Sequence, residues 1–340
     1  MADPAAVAVA AKRTLTVRKV LALTGKISVT CGCLWYVVRQ IKIGELLNEA
    51  QHLDVRWLIV ATLFVAFQGP LVGIRWGSIT NALKPEVPPQ PLSAFLAINM
   101  IATFFAQILP NVMSDALRVW LLTQIRRGWR DGLVGVVIDR GVGVASLLGI
   151  GLAALANASA FTALSEYRPI VLATFAVLLF GGVAGLIFAP LYAPLVARLR
   201  ATQWIAELAL TARQVLIKSP AATHIIAIAL IVHLLSIADI WCLGRAFSLL
   251  FSVTYAATLF TLIAGITLIP ITVNGWGLRE LAVTAFLGAQ GISAQRALLF
   301  SICFGMTYVV ATLPGAIVLV FYSSEKARRN VVHSDRGLDC

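Results

Sequence analysis

The sequence predicts an all-α polytopic membrane protein: about six full transmembrane helices plus two oppositely oriented re-entrant helical hairpins, arranged as a pseudo-inverted repeat. Three observations carry this prediction. Of 340 residues, 59% are hydrophobic and only 12% charged, more apolar surface than a water-soluble domain hides. The apolar residues fall in runs long enough to cross a hydrocarbon layer about 30 Å thick. Two runs are interrupted by a proline followed by charge, Leu109-Pro110-Asn111-Val112-Met113-Ser114-Asp115-Ala116-Leu117-Arg118 and Ile269-Pro270-Ile271-Thr272-Val273-Asn274-Gly275-Trp276-Gly277-Leu278-Arg279-Glu280. At bilayer depth such backbone is tolerated only where protein or a water-filled cavity satisfies it, so the two breaks point to a polar site within the membrane.

In chain order the apolar runs cover residues 20–38, 57–74, 92–109, 133–156, 169–196, 221–247, 254–269 and 294–321. Lys12, Arg13, Arg18 and Lys19 precede the first run and no small-residue cleavage site follows it. The expectation is therefore an uncleaved first span behind a cytoplasmic basic tail, residues 1–18. Residues 19–322 then form a single transmembrane domain and 323–340 a second cytoplasmic polar tail. Ile43, Leu46, Leu47, Ala50 and Leu53 recur at helical spacing before the second span. Between 200 and 218, Arg200, Gln203, Glu207, Thr211, Gln214 and Lys218 oppose Ile205, Leu208, Val215 and Leu216. Both stretches read as amphipathic helices lying on the membrane surface. Arg75 with Trp76 reads as an interfacial anchor at a span end, and Lys26 as a snorkelling cation.

The net charge of +12 follows from the positive-inside bias of a multi-pass protein and implies no nucleic-acid partner. If all eight runs crossed fully, Arg126, Arg127 and Arg130 and the later group Arg198, Arg200, Arg213 and Lys218 would lie outside. A run that dips in at 92–109 and returns through 115–124 places both groups inside. A second re-entrant element, 254–269 returning through 278–287, places Lys326, Arg328 and Arg329 inside as well. Roughly eighteen of the 27 Lys and Arg are then cytoplasmic, and the hairpins enter from opposite faces.

Charged residues inside these spans are the candidate site, because each costs about 2.5–3.5 kcal/mol at a helix centre. Asp115 and Arg118 are three apart and share a helical face, so they can pair. Asn111 and Ser114 are placed to cap the helix that follows Pro110. Asp139 and Arg140 form a second acid–base pair, positioned to close ion pairs with the first hairpin. Asn274, Gly275 and Gly277 give a flexible turn before Arg279 and Glu280. These two are adjacent, so they point about 100° apart on a helix, one facing a ligand while the other locks the fold. His233, Ser236 and Asp239 line one side of the sixth run, as a proton path or as an interhelical hydrogen-bond seam.

The five cysteines, Cys31, Cys33, Cys242, Cys303 and Cys340, have no metal-ligand spacing and read as small apolar side chains. No phosphate-cradling Gly-Lys-Ser/Thr loop, metal cluster or nucleophile–base arrangement stands out, so the chain is expected to need no cofactor or metal and to be no enzyme.

The order of these features resembles the lysylphosphatidylglycerol synthetase transmembrane-region family over about residues 18–322. The basic first span, the amphipathic linker, Arg75-Trp76, the break at 110–118, the Asp139-Arg140 span and the Gly-Trp-Gly-x-Arg-Glu turn carry the likeness. Asp115 and Arg118 match the family's first motif, in which Met113 and Ser114 replace glycines. Pro270, Gly275, Gly277, Arg279 and Glu280 match the second, and Arg140 the acid–Arg pair. The resemblance implies a multi-pass protein of the bacterial cytoplasmic membrane, both termini inside, that translocates a lipid headgroup. The substrate would be a phospholipid, a polyprenyl-linked lipid or a hopanoid lipid. About twenty polar residues follow Phe321, which is short of the acyltransferase-like domain that a complete aminoacyl-lipid synthetase carries.

The leading expectation is a flippase or scramblase whose central polar cavity is lined by Asp115, Arg118, Asp139, Arg140, Asn274, Arg279 and Glu280. Arg118, Arg140 and Arg279 would hold an anionic phosphate, with Asp115, Asp139 or Glu280 balancing charge or accepting an amine. The rival readings are a non-transporting accessory subunit of a membrane glycosyltransferase or of a glycolipid or hopanoid enzyme, and an enzyme acting on a polyprenyl or hopanoid lipid. A membrane enzyme partner or a homo-oligomer fits either rival.

Overall fold

A computed structural model describes residues 35, 43–125, 127–157, 166–268, 272 and 275–321. The predicted first span apart from Trp35, both tails, Lys26, Cys31, Cys33, Cys340, Pro270 and Asn274 lie outside the described residues. Every regular element among the described residues is a helix. In order these are α1 (Ile43–Gln51), α2 (Val55–Ala82), α3 (Leu92–Ala106), α4 (Asn111–Thr123), α5 (Trp129–Ala156) and α6 (Arg168–Ile187). There follow α7 (Ala189–Val196), α8 (Gln203–Arg213), α9 (Ala222–Ala246), α10 (Val253–Thr267), α11 (Leu278–Gly288) and α12 (Ala294–Thr312).

Among the described residues five segments are long and apolar enough to cross a membrane: α2, α5, α6, α9 and Ala294–Phe321, which contains α12. The chain is thus a polytopic α-helical membrane protein. α3 and α10 have 15 residues, α4 has 13 and α11 has 11. At 1.5 Å per residue these helices run only about 16–22 Å, too short to cross. Their lengths are those expected of the two broken segments. Pro110 ends the first break as the N-cap of α4 (φ −54°, ψ 142°) and has no side-chain cap bond. Its ring biases the preceding residue away from helical dihedrals, which separates α3 from α4.

The chain forms two compact units, residues 1–51 with 263–302 and residues 52–262 with 303–340. In the larger unit α2 packs against α3, α5 and α9, and α4 bridges α3 and α5. Close approach depends on small residues. On α2, Gly73 and Gly77 are one turn apart; a Cβ on the first would come 3.2 Å from Leu96 and on the second 2.8 Å from the Phe95 ring. On α5, a Cβ at Gly135 would come 2.8 Å from the Thr80 hydroxyl of α2. One core gathers Trp76, Phe95, Ile98, Ile101, Leu121, Leu122 and Val136. Another joins Ile79, Ile138 and Val142 to Ala212, Val215, Ile225 and Ala229. By contrast α6 buries no residue, as expected of a helix that presents its apolar side chains to lipid.

Three details depart from the sequence reading. Arg75 and Trp76 are not an interfacial anchor: they are 5% and 0% exposed, because Trp76 stands edge-on to Phe95 at 5.1 Å inside the core. The run at 169–196 is not one helix. It breaks at Phe188, since Pro190 has no N–H to continue the ladder, and the carbonyls of Ile187 and Gly185 accept hydrogen bonds from Arg213 Nε (3.3 Å) and the Tyr192 hydroxyl (2.9 Å). Arg127 is buried, and it clamps the α2–α3 connection through Asn81 and the Pro88 carbonyl, each at 3.3 Å. The stretch around 200–218 does form a helix, α8, which continues through Lys218 as a π-helical turn. Leu208, Val215 and Leu216 face the core, whereas Ile205 is exposed.

A Cβ on Gly315 would overlap the backbone carbonyl of Met100 on α3. Gly315→Ala is therefore expected to destabilise the protein by about 1–3 kcal/mol through overpacking. Thermal unfolding in detergent would register this as a lowered midpoint, while Gly181→Ala, with nothing within 4 Å of the added carbon, leaves it unchanged.

Candidate functional site

Five charged side chains from α2, α4 and α5 meet inside the larger unit. Asp139 lies about 15 Å along α5, near the helix middle. Its Oδ1 accepts from Arg75 Nε of α2 at 2.7 Å, and its Oδ2 lies 3.6 Å from Arg118 of α4. Arg118 also stands 3.7 Å from Asp115, one turn earlier on the same helix. Asp115 in turn accepts from Arg140 in bidentate fashion, at 2.9 and 3.1 Å. The result is a continuous alternation, Arg75–Asp139–Arg118–Asp115–Arg140, in which adjacent residues of α5 serve opposite ends. Asp139 faces α2 and Arg140 faces the first turns of α4, as neighbours about 100° apart on a helix must.

The rest of the cluster orients Arg118. One of its terminal nitrogens donates to Asn99 Oδ1 on α3, and the guanidinium lies 5.6 Å from the centre of the Trp76 ring. Asn99 donates to the Gly69 carbonyl at 2.7 Å, beside Pro70, which interrupts the α2 ladder. Arg118 and Asp139 are 4% and 2% exposed; the side chain of Arg140 is half exposed. Arg118, Arg140 and Ser114 line a cavity of about 230 Å³, together with Gln68 and Pro70 of α2, Thr103 and Gln107 at the end of α3, and Tyr308, Thr312 and Gly315. Ser114 thus lies at the cavity wall, where the sequence suggested a helix cap.

Charge counting within this cluster is informative. Three guanidiniums, Arg75, Arg118 and Arg140, face two carboxylates, Asp115 and Asp139, leaving one net positive charge beside the cavity. Low-dielectric surroundings make such an imbalance costly unless an anion offsets it.

The second break forms its own cluster in the smaller unit. Gly275 and Gly277 adopt φ of 79° and 85°, dihedrals open to glycine and strained for other residues. A Cβ on Gly275 would also press to 2.7 Å from Thr267. Glu280, 1% exposed, accepts the Gly277 N–H at 2.5 Å with one oxygen. Its other oxygen accepts from Arg279 at 2.5 and 2.9 Å and from the Ser301 hydroxyl at 3.2 Å. Arg279 stacks over Trp276 at 4.4 Å. The expectation that Arg279 and Glu280 point apart is overturned, because their long side chains curl back to meet over the turn. Asn274 lies outside the described residues.

Asp115, Arg118, Asp139 and Arg140 are brought together as the sequence suggested, and Arg279 joins Glu280 in the other unit. Sequence reasoning missed Arg75, Asn99, Gln68 and Tyr308. Asn99 and Gln68 were legible only as polar residues inside apolar runs. Among the described residues no group of three His, Cys, Asp or Glu is placed to hold a metal ion.

Fold and cluster define a multi-pass helical membrane protein with an ion-paired cavity at membrane depth. The chain belongs to the family described as lysylphosphatidylglycerol synthase TM region, whose sequence profile matches residues 23–315. A comparison with curated proteins returned no match.

Asp139→Asn would leave Arg75 and Arg118 buried without their shared carboxylate, at an expected cost of about 3–5 kcal/mol. Folded yield and thermal midpoint after detergent extraction measure this. Asp131→Asn, whose partner Lys84 is half exposed, is expected to change neither by much.

Proposed function

We propose that this protein is a flippase or scramblase, moving a lipid headgroup that bears a phosphate or another anion across the bilayer while the acyl chains stay in the surrounding lipid. The observation that carries the reading is the net positive charge of the Arg75–Asp139–Arg118–Asp115–Arg140 chain beside the cavity. Membership of a family associated with membrane lipid supports a lipid as the source of the anion. A cavity of about 230 Å³ suits a headgroup and is far below the volume of a whole lipid.

Roles follow from accessibility. Arg140, half exposed and bidentate to Asp115, is the cation that can turn to an incoming anion without unpacking a helix. Arg118 supplies fixed positive charge at the cavity wall, held by Asn99 and Asp139. Arg75 and Asp139 keep that charge in place and do not reach the headgroup. No bond is made or broken in this cycle, so the chain acts as a transporter rather than an enzyme, on a phospholipid, polyprenyl-linked or hopanoid lipid. On this reading both termini face the cytoplasm, as positive-inside counting favours, and the setting is a bacterial cytoplasmic membrane.

Reconstitution into vesicles with a headgroup-labelled anionic lipid tests this by chemical access to the label from outside. Loss of one charge-assisted contact is worth about 1.5–3 kcal/mol, so Arg140→Ala is expected to slow movement by about tenfold to a hundredfold, with partial recovery in Arg140→Lys. Equal rates in the wild type and Arg140→Ala would sink the role given to that residue. A wild type that moves no headgroup would point instead to a non-transporting accessory subunit.

A further inference from the structure

Asp239 of α9 has no place in the ion-paired chain. It is fully buried, the Thr307 hydroxyl lies close to its carboxyl group, and among the described residues neither of its oxygens has a well-formed hydrogen bond or a cation within 4 Å. The Thr307 hydroxyl beside it donates to the Phe304 carbonyl at 2.8 Å. The titratable group beside it is the Cys242 thiol, one turn on; Arg245, the cation of α9 itself, is exposed and stacked on Trp241 at 4.8 Å. A carboxylate with no counter-ion is far costlier in such surroundings than the neutral acid.

A route leads from this acid to the cavity. Ser236 is one turn away on the same face of α9. Its hydroxyl lies 3.2 Å from Gln68 Oε1 and 3.5 Å from the Tyr308 hydroxyl, and Gln68 and Tyr308 both line the cavity beside Arg118 and Arg140.

We infer that Asp239 is a proton-binding site of this domain, exchanging its proton with the cavity through Ser236 and Tyr308. In a state open to water, a water molecule between Asp239 and Ser236 takes the acid's proton and gives one of its own to the Ser236 oxygen, Ser236 passes its own to the Tyr308 oxygen, and Tyr308 passes its own to water in the cavity. Asp239 is left as the carboxylate, and the reverse steps restore the acid. Because that carboxylate is costly where it stands, release is favoured only in a second state that opens the site to water, which couples the proton to the conformational cycle. Its use as a driving ion rests on the translocation reading; the site itself does not.

Infrared spectroscopy of the purified protein in lipid tests the site directly. At neutral pH the wild type should show the carbonyl stretch of an un-ionised carboxylic acid, shifted on transfer to D2O. Asp239→Asn loses the band, Ser236→Ala keeps the band but loses the shift, and Asp239→Glu, should the amide fail to fold, displaces the band. Identical wild-type and Asp239→Asn spectra would overturn the site, and an equal shift in Ser236→Ala would overturn the route. In vesicles, a pH gradient should alter headgroup movement by the wild type and not by Asp239→Asn. A wild type indifferent to the gradient overturns the coupling. One that moves no headgroup overturns the translocation reading, and the spectra still decide the site.

Discussion

Hydrocarbon offers no partner to a charge, so each ionised group inside this protein must find its counter-ion within the protein itself. In the larger unit Asp139 meets that demand for two helices at once, accepting from Arg75 on α2 and facing Arg118 on α4. The thirteen residues of α4 are too few to be held as a span is held, by an apolar length matched to the bilayer. What fixes α4 is core packing of Leu121 and Leu122 together with polar ties, Asp139 and Arg140 on one side and Asn99 on the other. Remove the carboxylate of Asp139, and α2 and α4 lose their common anchor.

The close-packed helices and the ionic chain depend on each other. Glycines at 73, 77 and 135 let α2 approach α3 and α5 within the reach of short polar side chains. Pro70 and Pro110 interrupt the ladders at the cavity wall and just before α4, and Asn99 donates to the Gly69 carbonyl beside the first of them. Stability and the proposed chemistry therefore share residues: three guanidiniums face two carboxylates and leave one positive charge unmatched.

The second break meets the same demand by another means. There the turn closes on itself, with Glu280 taking up a backbone amide, the adjacent guanidinium and the Ser301 hydroxyl. Left-handed dihedrals at Gly275 and Gly277 make that return path available. One break is thus held by helices distant in sequence and the other by its own neighbours, so the first has an unbalanced charge while Arg279 in the second already faces a carboxylate.

Hydropathy alone located the five described spans, the two short broken segments and the four charges at 115, 118, 139 and 140. Span length and the cost of intramembrane charge are local properties of a sequence read against a membrane. That Asp139 and Arg140 would close ion pairs with the first hairpin was also legible, though not that Asp139 would reach Arg75 as well. Tertiary structure decided the rest: Arg75 is a core ion-pair member, 64 residues from its carboxylate, and Ser236 meets Gln68 across 168 residues. It also curled Arg279 onto Glu280 against the angle between their positions, since rotamers of long side chains outweigh a backbone angle. Sequence spacing fixes which face a residue occupies; only packing decides what stands opposite that face, and in a bilayer that neighbour determines whether a charge is a structural tie or a site.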